Sequence, residues 1–487
     1  MFLIDHQILL AAVLLLAGIV SSRFSARLGL PVLVLFLGIG MLAGEDGIGG
    51  IDFDNVSLAH AIGTLSLAVI LFDGGLQTRA SALRAVWRPS LLLATVGVIV
   101  TAVITGVAAS SILGVPPLIG LLLGSIVAST DAAAVFSVLR SGGLLLRERV
   151  ASTLEVESGS NDPMAIFLTV GLLEVLSGRL DLGLGLLTFF VQQMGVGCVV
   201  GLGAGWLSVR ALNRIQLGAP GLYAVLAGAC GLAAFGLAAI AGGSGFLAIY
   251  ITGIVLGNNR TAFQRETFLF MDGLAWIGQI TMFVVLGLLS TPTELVPVAG
   301  PALLVSAVLF LVARPIAVVP LLAPFRFSLR EHVLISWVGL KGAAPIILAT
   351  FPLLAGLPEG RLLFNVVFFV VLLSAMLQGW TLPVLAARLR LRETHVPAPP
   401  VSLELVTLRD VNAEVVDYAV SSESPLVGRT IQDLRLPDGA IVALVSREGT
   451  PIAPRGSTRL QAADHLFVIA RTSDRIEVDR LLGHDRA

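Results

Sequence analysis

The sequence predicts an all-α polytopic membrane protein of about thirteen transmembrane helices, followed by a small cytoplasmic α/β domain. Three observations predict it. Charged residues make up 13% of the chain and hydrophobic ones 56%, whereas soluble domains carry about 25% charged residues. Stretches of about 20 apolar residues, each long enough to cross a hydrocarbon core of about 30 Å, recur along the first 390 positions and raise the mean hydropathy to +0.93. The arginines between those stretches are distributed to one side.

Hydropathy places spans near 7–22, 31–44, 57–73, 90–111, 117–139, 151–176, 184–209, 219–241, 244–257, 268–290, 299–322, 332–355 and 362–387. The first span reads as a retained helix. A secretory signal begins with basic residues, but here Asp5 and His6 precede the apolar run and Arg23 and Arg27 follow it. With the N-terminus outside and every span crossing, 17 arginines fall in cytoplasmic loops and only Arg179 and Arg361 in outer ones. Glu45, Asp46, Asp52 and Asp54 fall in an outer loop. Excess arginine on the cytoplasmic side is the expected asymmetry, and a wrong count would scramble it. The expected location is the cell (inner) membrane, with the C-terminus cytoplasmic.

The composition changes near residue 393. Residues 1–392 form the transmembrane domain, the Pro-rich run His395-Val396-Pro397-Ala398-Pro399-Pro400 places a linker over 393–400, and residues 401–487 form the tail domain. Those last 87 residues hold 10 Arg and 13 Asp plus Glu. Short β-rich runs at Leu403–Leu408, Ala440–Ser446 and Leu466–Ala470 alternate with turn signals at Pro437-Asp438-Gly439 and Glu448-Gly449.

Several function classes are disfavoured. A net charge of −1 and a pI near 6.6 argue against nucleic acid. Cys198 and Cys230 lie in apolar stretches and form no metal-ligand or disulfide pattern. The six histidines show no metal spacing, and His60 is expected on solvated surface. The glycines of Gly195–Gly205 sit inside a span, where small residues serve close helix packing rather than phosphate binding. No activated nucleophile points to an enzyme, and no cofactor is expected.

Charges inside spans cost roughly 2.5–3.5 kcal/mol each and mark function by default. Span 5 reads Ala128-Ser129-Thr130-Asp131-Ala132. Span 6 reads Glu157-Ser158-Gly159-Ser160-Asn161-Asp162-Pro163, with Glu157, Ser158, Asn161 and Asp162 spaced to share a face and Pro163 loosening the backbone. Span 12 reads Gly339-Leu340-Lys341-Gly342-Ala343-Ala344-Pro345. Spans 5 and 12 cross in opposite directions, and paired interrupted helices in opposed halves point to an inverted-repeat transporter. Their breaks leave helix-dipole ends facing inside the membrane, which Asp131 and Lys341 would neutralise. Lys341 is the only lysine; the thirty other basic residues are arginine. Asp73 lies near the cytoplasmic end of its span and reads either as an ion ligand or as a snorkelling charge. Glu155 lies off the shared face and reads as structural or gating. Arg314 reads as an internal partner for an acid or carbonyl, and Glu174 and Arg179 as interfacial charges.

Together with Phe72-Asp73-Gly74-Gly75-Leu76, these motifs resemble, in order and over about residues 5–390, the NhaP-type monovalent cation/proton antiporters. The resemblance implies an NhaA-like inverted-repeat fold with crossed, unwound helices 5 and 12, assembled as a homodimer in lipid. It implies Asp162 as the central cation and proton ligand, with Asp131 beside it and Thr130, Ser158 and Asp73 completing the site. Asn161, Glu157 and Lys341 would support it. Where the family commonly has arginine, this chain has Lys341, so this position would either pair with Glu157 or titrate. Relatives with Asp-Asp in place of Asn161-Asp162 tend to be electrogenic, so one carboxylate here suggests one-for-one exchange.

The tail resembles a TrkA-C (RCK C-terminal) domain at Ser424-Pro425-Leu426-Val427-Gly428-Arg429-Thr430-Ile431 and Asp464-His465-Leu466, with Ala463 where members often have glycine. That implies a regulatory role, a small ligand bound within 401–487, and K⁺ as the cation. Na⁺(Li⁺)/H⁺ exchange is the alternative. A cation channel with a regulatory domain is more distant, because no selectivity filter is evident, and a non-transporting sensor is more distant still.

Overall fold

The computed structural model describes residues 3–28, 31–141, 144–391, 413–420, 424, 426–447, 450–462, 464–471 and 474–482. The chain divides into two compact units, Met1–Glu393 and Thr394–Ala487.

Among the described residues the first unit is built of helices: α1 (Leu3–Leu28), α2 (Val32–Ala43), α3 (Val56–Gln77), α4 (Ala80–Leu113), α5 (Pro117–Ile126), α6 (Ala132–Ser141), α7 (Glu148–Leu176), α8 (Leu184–Arg214), α9 (Pro220–Ile240), α10 (Gly245–Gly257), α11 (Gln264–Leu289), α12 (Pro292–Phe325), α13 (Leu329–Trp337), α14 (Ala343–Leu354) and α15 (Gly360–Arg388). Among the described residues, α3, α4, α8, α9, α11, α12 and α15 are each long and apolar enough to cross a membrane, and shorter apolar helices stand between them. The unit is a multi-pass membrane domain.

Close helix approach follows from paired glycines. A Cβ on Gly75 of α3 would lie 3.1 Å from Gly253 Cα of α10, and one on Gly287 of α11 would lie 2.9 Å from Gly40 Cα of α2. On α8, Gly197, Gly201 and Gly205 recur every four residues and meet Ser244, Ala248, Ile251 and Val255 on and just before α10. These are packing glycines, as their place in a span suggests.

Two kinds of irregularity occur twice. A π-helical turn lies at Leu93–Gly97 in α4 and another at Leu309–Ala313 in α12. Non-helical backbone separates α5 from α6 and α13 from α14, at Val127–Asp131 and Val338–Gly342. By contrast, α7 stays helical through Pro163, where the sequence suggests a loosened backbone. The missing N–H frees only the Gly159 carbonyl, and packed neighbours let a membrane helix keep its course.

The second unit carries a four-stranded antiparallel sheet in the order β1-β4-β2-β3, with β1 Ala413–Ala419, β2 Ala440–Arg447, β3 Thr450–Ile452 and β4 His465–Arg471, and a helix α16 at Arg475–Leu481. Its core is Tyr418, Leu426, Leu434, Val445, Leu466, Val468 and Val478. Strands β2 and β4 fall on two of the β-rich runs. The run Leu403–Leu408, the linker 393–400, the Glu448-Gly449 turn, Pro425 and Ala463 lie outside the described residues.

Candidate functional site

The two backbone breaks touch. Asp131 N–H donates to Leu340 O at 2.8 Å, joining one break to the other. Four helix ends meet there, and each has an opposite charge. Lys341 Nζ donates to Ser129 O at 2.7 Å, beyond the partly negative C-terminus of α5. Arg314 Nη2 donates to Ile335 O and Val338 O, at 3.3 and 3.2 Å, at the C-terminus of α13. Asp131 serves the two N-termini. Its Oδ1 accepts from Ala134 N at 3.0 Å in the first turn of α6. Its Oδ2 rests against Gly342, the residue capping α14, so closely that no Cβ fits there.

Helix α7 holds the first break in place. Ser158 Oγ donates to Thr130 O at 3.0 Å and accepts from Ala132 N at 2.9 Å. Asn161 Nδ2 donates to Thr130 Oγ1 at 2.6 Å. Glu157 faces away from the break and takes Arg314 Nη1 at 2.8 Å, with both side chains at most 2% exposed. Lys341 therefore does not hold Glu157; Arg314 does, and Lys341, 1% exposed, serves the Ser129 carbonyl instead. The four residues expected on one face of span 6 divide into two stripes. Ser158 and Asp162 join Glu155 and Gly159 in lining a cavity, while Glu157 and Asn161 point into the protein.

The cavity has a volume of about 540 Å³. It is lined by Ser129, Thr130, Asp131, Ser158, Asp162, Gly342 and Pro345 at and around the breaks, and by Asp73 and Gln77 of α3 and Asp272 and Gln279 of α11. Its charged lining is Asp73, Asp131, Glu155, Asp162, Asp272 and Arg140, five carboxylates against one guanidinium. Asp131 and Asp162 interact electrostatically, and so do Asp162 and Lys341. Asp73 is 8% exposed; its Oδ2 accepts from Gln77 Nε2 at 2.6 Å. Glu155, which reads from its spacing as off the face, lines the same space.

Sequence reasoning missed Asp272, which belongs to no motif. The signal was present: it is a lone acid inside the stretch 268–290. His60, expected on solvated surface, is half-buried, with Nδ1 2.8 Å from Thr350 Oγ1 and its ring edge-on to Phe351. Glu174 and Arg179 form an ion pair at 3.4 Å.

A polar, acid-lined cavity deep in a bundle of apolar helices defines a membrane ion transporter rather than an enzyme. Residues 11–388 match the family described as sodium/hydrogen exchanger, transmembrane, and residues 415–483 match the TrkA-C domain. The chain belongs to the sodium/hydrogen exchanger family. It is 46% identical over 473 residues to the K(+)/H(+) antiporter NhaP2 of Shewanella sp. (strain MR-4), covering 96% of this chain and 82% of that protein. It is 42% identical over 481 residues to the K(+)/H(+) antiporter NhaP of Alkalimonas amylolytica, covering 99% and 84%. Among solved structures, the sodium proton antiporter MjNhaP1 from Methanocaldococcus jannaschii at pH 8 superposes with a TM-score of 0.69 at 25% identity, over 79% of this chain and 99% of that one.

Proposed function

We propose that the chain exchanges K⁺ for H⁺ across the membrane, one for one, with Asp162 as the carboxylate that binds each in turn. The observation that carries this reading is the convergence of Asp162 and Asp131 at one cavity beside two helix breaks. Competition for one carboxylate couples the two fluxes, because a proton must leave before a cation can be held and the reverse. Asp131 Oδ1 is committed to the Ala134 N–H and Asn161 carries no charge. Asp162 therefore remains as the exchanging group, and each cycle moves one positive charge in each direction. Thr130 and Ser158 supply further oxygens, and Asp73 contributes its carboxylate to the same cavity on the way to them; Asn161, Glu157 and Lys341 support the backbone that presents them.

The choice of K⁺ rests on the two K(+)/H(+) antiporter relatives and on the TrkA-C match. The superposed sodium proton antiporter keeps Na⁺, with Li⁺, as the second reading.

The wider assignment is thirteen crossings within residues 1–392, with α5/α6 and α13/α14 each counted as one interrupted span. The N-terminus is outside, residues 393–400 are a linker, and residues 401–487 are a cytoplasmic regulatory domain that binds a small ligand. Paired π turns in α4 and α12 and paired breaks one helix later support an inverted repeat seven spans apart. The cavity lining includes Gln77 at the end of α3, Arg140 at the end of α6 and Glu155 near the start of α7, which favours an opening toward the arginine-rich, cytoplasmic side. A homodimer in the inner membrane, in which one part of each protomer moves against the other, accounts for alternating access.

The test is collapse of an imposed pH gradient in proteoliposomes on adding K⁺, Na⁺ or Li⁺. K⁺ dissipates the gradient with the native chain and fails with Asp162→Asn. A mutant as active as the native chain would remove Asp162 from the mechanism.

A further inference from the structure

Asp272 and Glu155 are the cavity acids that the proposed exchange site leaves unused, and Asp272 is the one that faces Asp73. Gly278 of α11 packs on Ser66 of α3, where a Cβ would lie 3.3 Å from Ser66 Cβ. Asp73 is seven residues beyond Ser66 and Asp272 six before Gly278, and the two carboxyls interact electrostatically. The helices therefore run antiparallel here, and both acids lie about 10 Å along their helices from that contact, at the same depth. Asp272, Ala275, Trp276 and Gln279 are spaced i, i+3, i+4 and i+7 and all line the cavity, so one face of α11 looks into it.

Asp73 supplies the second observation. It is 8% exposed, lines the cavity, and gives only Oδ2 to Gln77; its Oδ1 is buried with no hydrogen-bond partner among the described residues. A buried carboxylate oxygen without a donor, facing a second carboxylate, is destabilised unless it takes up a proton or a cation lies between the two acids, and an exchanger of cations for protons can use both states. The basic groups nearest the cavity have other partners, although Arg140 is part of the lining. Arg79 interacts with Glu155, and Arg140 Nε donates to Phe136 O at 3.3 Å.

We propose that Asp73 and Asp272 form a second site for a monovalent cation near the cavity mouth, which holds the ion before it passes to Asp162. This deepens the reading of Asp162 as the exchanging carboxylate and rests on it. Paired acids near an entrance concentrate cations locally, and successive sites that bind weakly let an ion enter without being trapped. Both acids stand on α3 and α11 and not at the helix breaks, so the ion is handed from these two helices to the breaks.

The test measures the KM for K⁺ and the maximal rate in proteoliposomes, with K⁺ supplied at the arginine-rich face, for the native chain, Asp272→Asn, Asp272→Glu and Asp162→Asn. Asp272→Asn raises the KM by about fivefold, equivalent to about 1 kcal/mol, with the maximal rate retained, and Asp272→Glu restores the native KM. Asp272 is exposed, so its replacement leaves the fold intact. If Asp162→Asn abolishes exchange while Asp272→Asn keeps its KM within about twofold, or lowers only the maximal rate, the second site is overturned and the exchange site stands. If Asp162→Asn still exchanges, both fall together.

Discussion

Arg314 Nη1 lies 2.8 Å from Glu157 Oε1, and neither side chain is more than 2% exposed. The pair joins α12 to α7, and the same guanidinium closes the carbonyl end of α13. Breaking a buried pair from one side leaves an uncompensated charge, which costs about 3–5 kcal/mol. Arg314→Met and Glu157→Met are each expected to lower the thermal unfolding temperature of the purified protein substantially. The double variant recovers most of that loss, though not all, because the Ile335 and Val338 carbonyls remain without their donor. A double variant as unstable as the worse single one would refute this account.

Gly342 meets the Asp131 carboxylate where no Cβ can fit. Gly342→Ala therefore pushes Asp131 off the N-terminus of α14. A displacement of about 1 Å at a reacting group costs up to about 100-fold in rate, so exchange should fall by one to two orders of magnitude while the protein still folds and reconstitutes. Wild-type exchange in Gly342→Ala would show that Asp131 needs no such placement.

Asn161 donates to Thr130 Oγ1 and does not line the cavity. Asn161→Asp removes that donor and buries a carboxylate away from the ion path. The expected result is a loss of about 1–3 kcal/mol in stability with exchange still indifferent to an imposed membrane potential. Potential-driven exchange in this variant would place Asn161 in the transport path.

In the second unit, Arg447 grips Asp464 with two bonds, Nε to Oδ1 at 2.8 Å and Nη2 to Oδ2 at 2.9 Å, and Gln461 N–H adds a third at 2.8 Å. Burial alone would raise this carboxyl, but Arg447 and Gln461 hold it below its usual value. A carboxyl lowered on folding adds stability above its unfolded pKa, about 3.9, and that stability is lost as pH falls through the folded value. Protease resistance of residues 413–482 in the full chain should therefore hold from neutral pH to about pH 5 and fail in stronger acid. Arg447→Met should lose part of that resistance already at neutral pH, because it leaves Asp464 buried without its cation. Equal resistance in both proteins would dissociate the pair from tail stability.

The membrane class and most of the residues that gather at the cavity and the breaks were legible because the membrane makes charges conspicuous. Asp131, Asp162 and Lys341 stand out in apolar runs. Arg314 was legible as an internal partner for an acid or carbonyl, but which acid and which carbonyls was not. Spacing puts Glu157 and Asp162 on one stretch of helix, but their directions are set by what packs on either side: Arg314, more than 150 positions away, or the open cavity. Asp272 was missed for a related reason. It has no local motif, and its meaning comes from Asp73 on a helix some 200 residues earlier. His60 looked like surface because Thr350 and Phe351, which bury it, are far away in sequence.

The solitary lysine has a practical consequence. Lys341 carries the only ε-amine in the chain, and it is 1% exposed with its nitrogen on the Ser129 carbonyl. Every other basic side chain apart from histidine is a guanidinium, which acylating reagents leave untouched at neutral pH. Side-chain amine labelling is therefore silent while the two breaks are in contact. Any modification of Lys341 would act as a single side-chain mass tag for their separation, with no engineered reporter and with the α-amine at the chain's start as the other acylated position, told apart by peptide mapping.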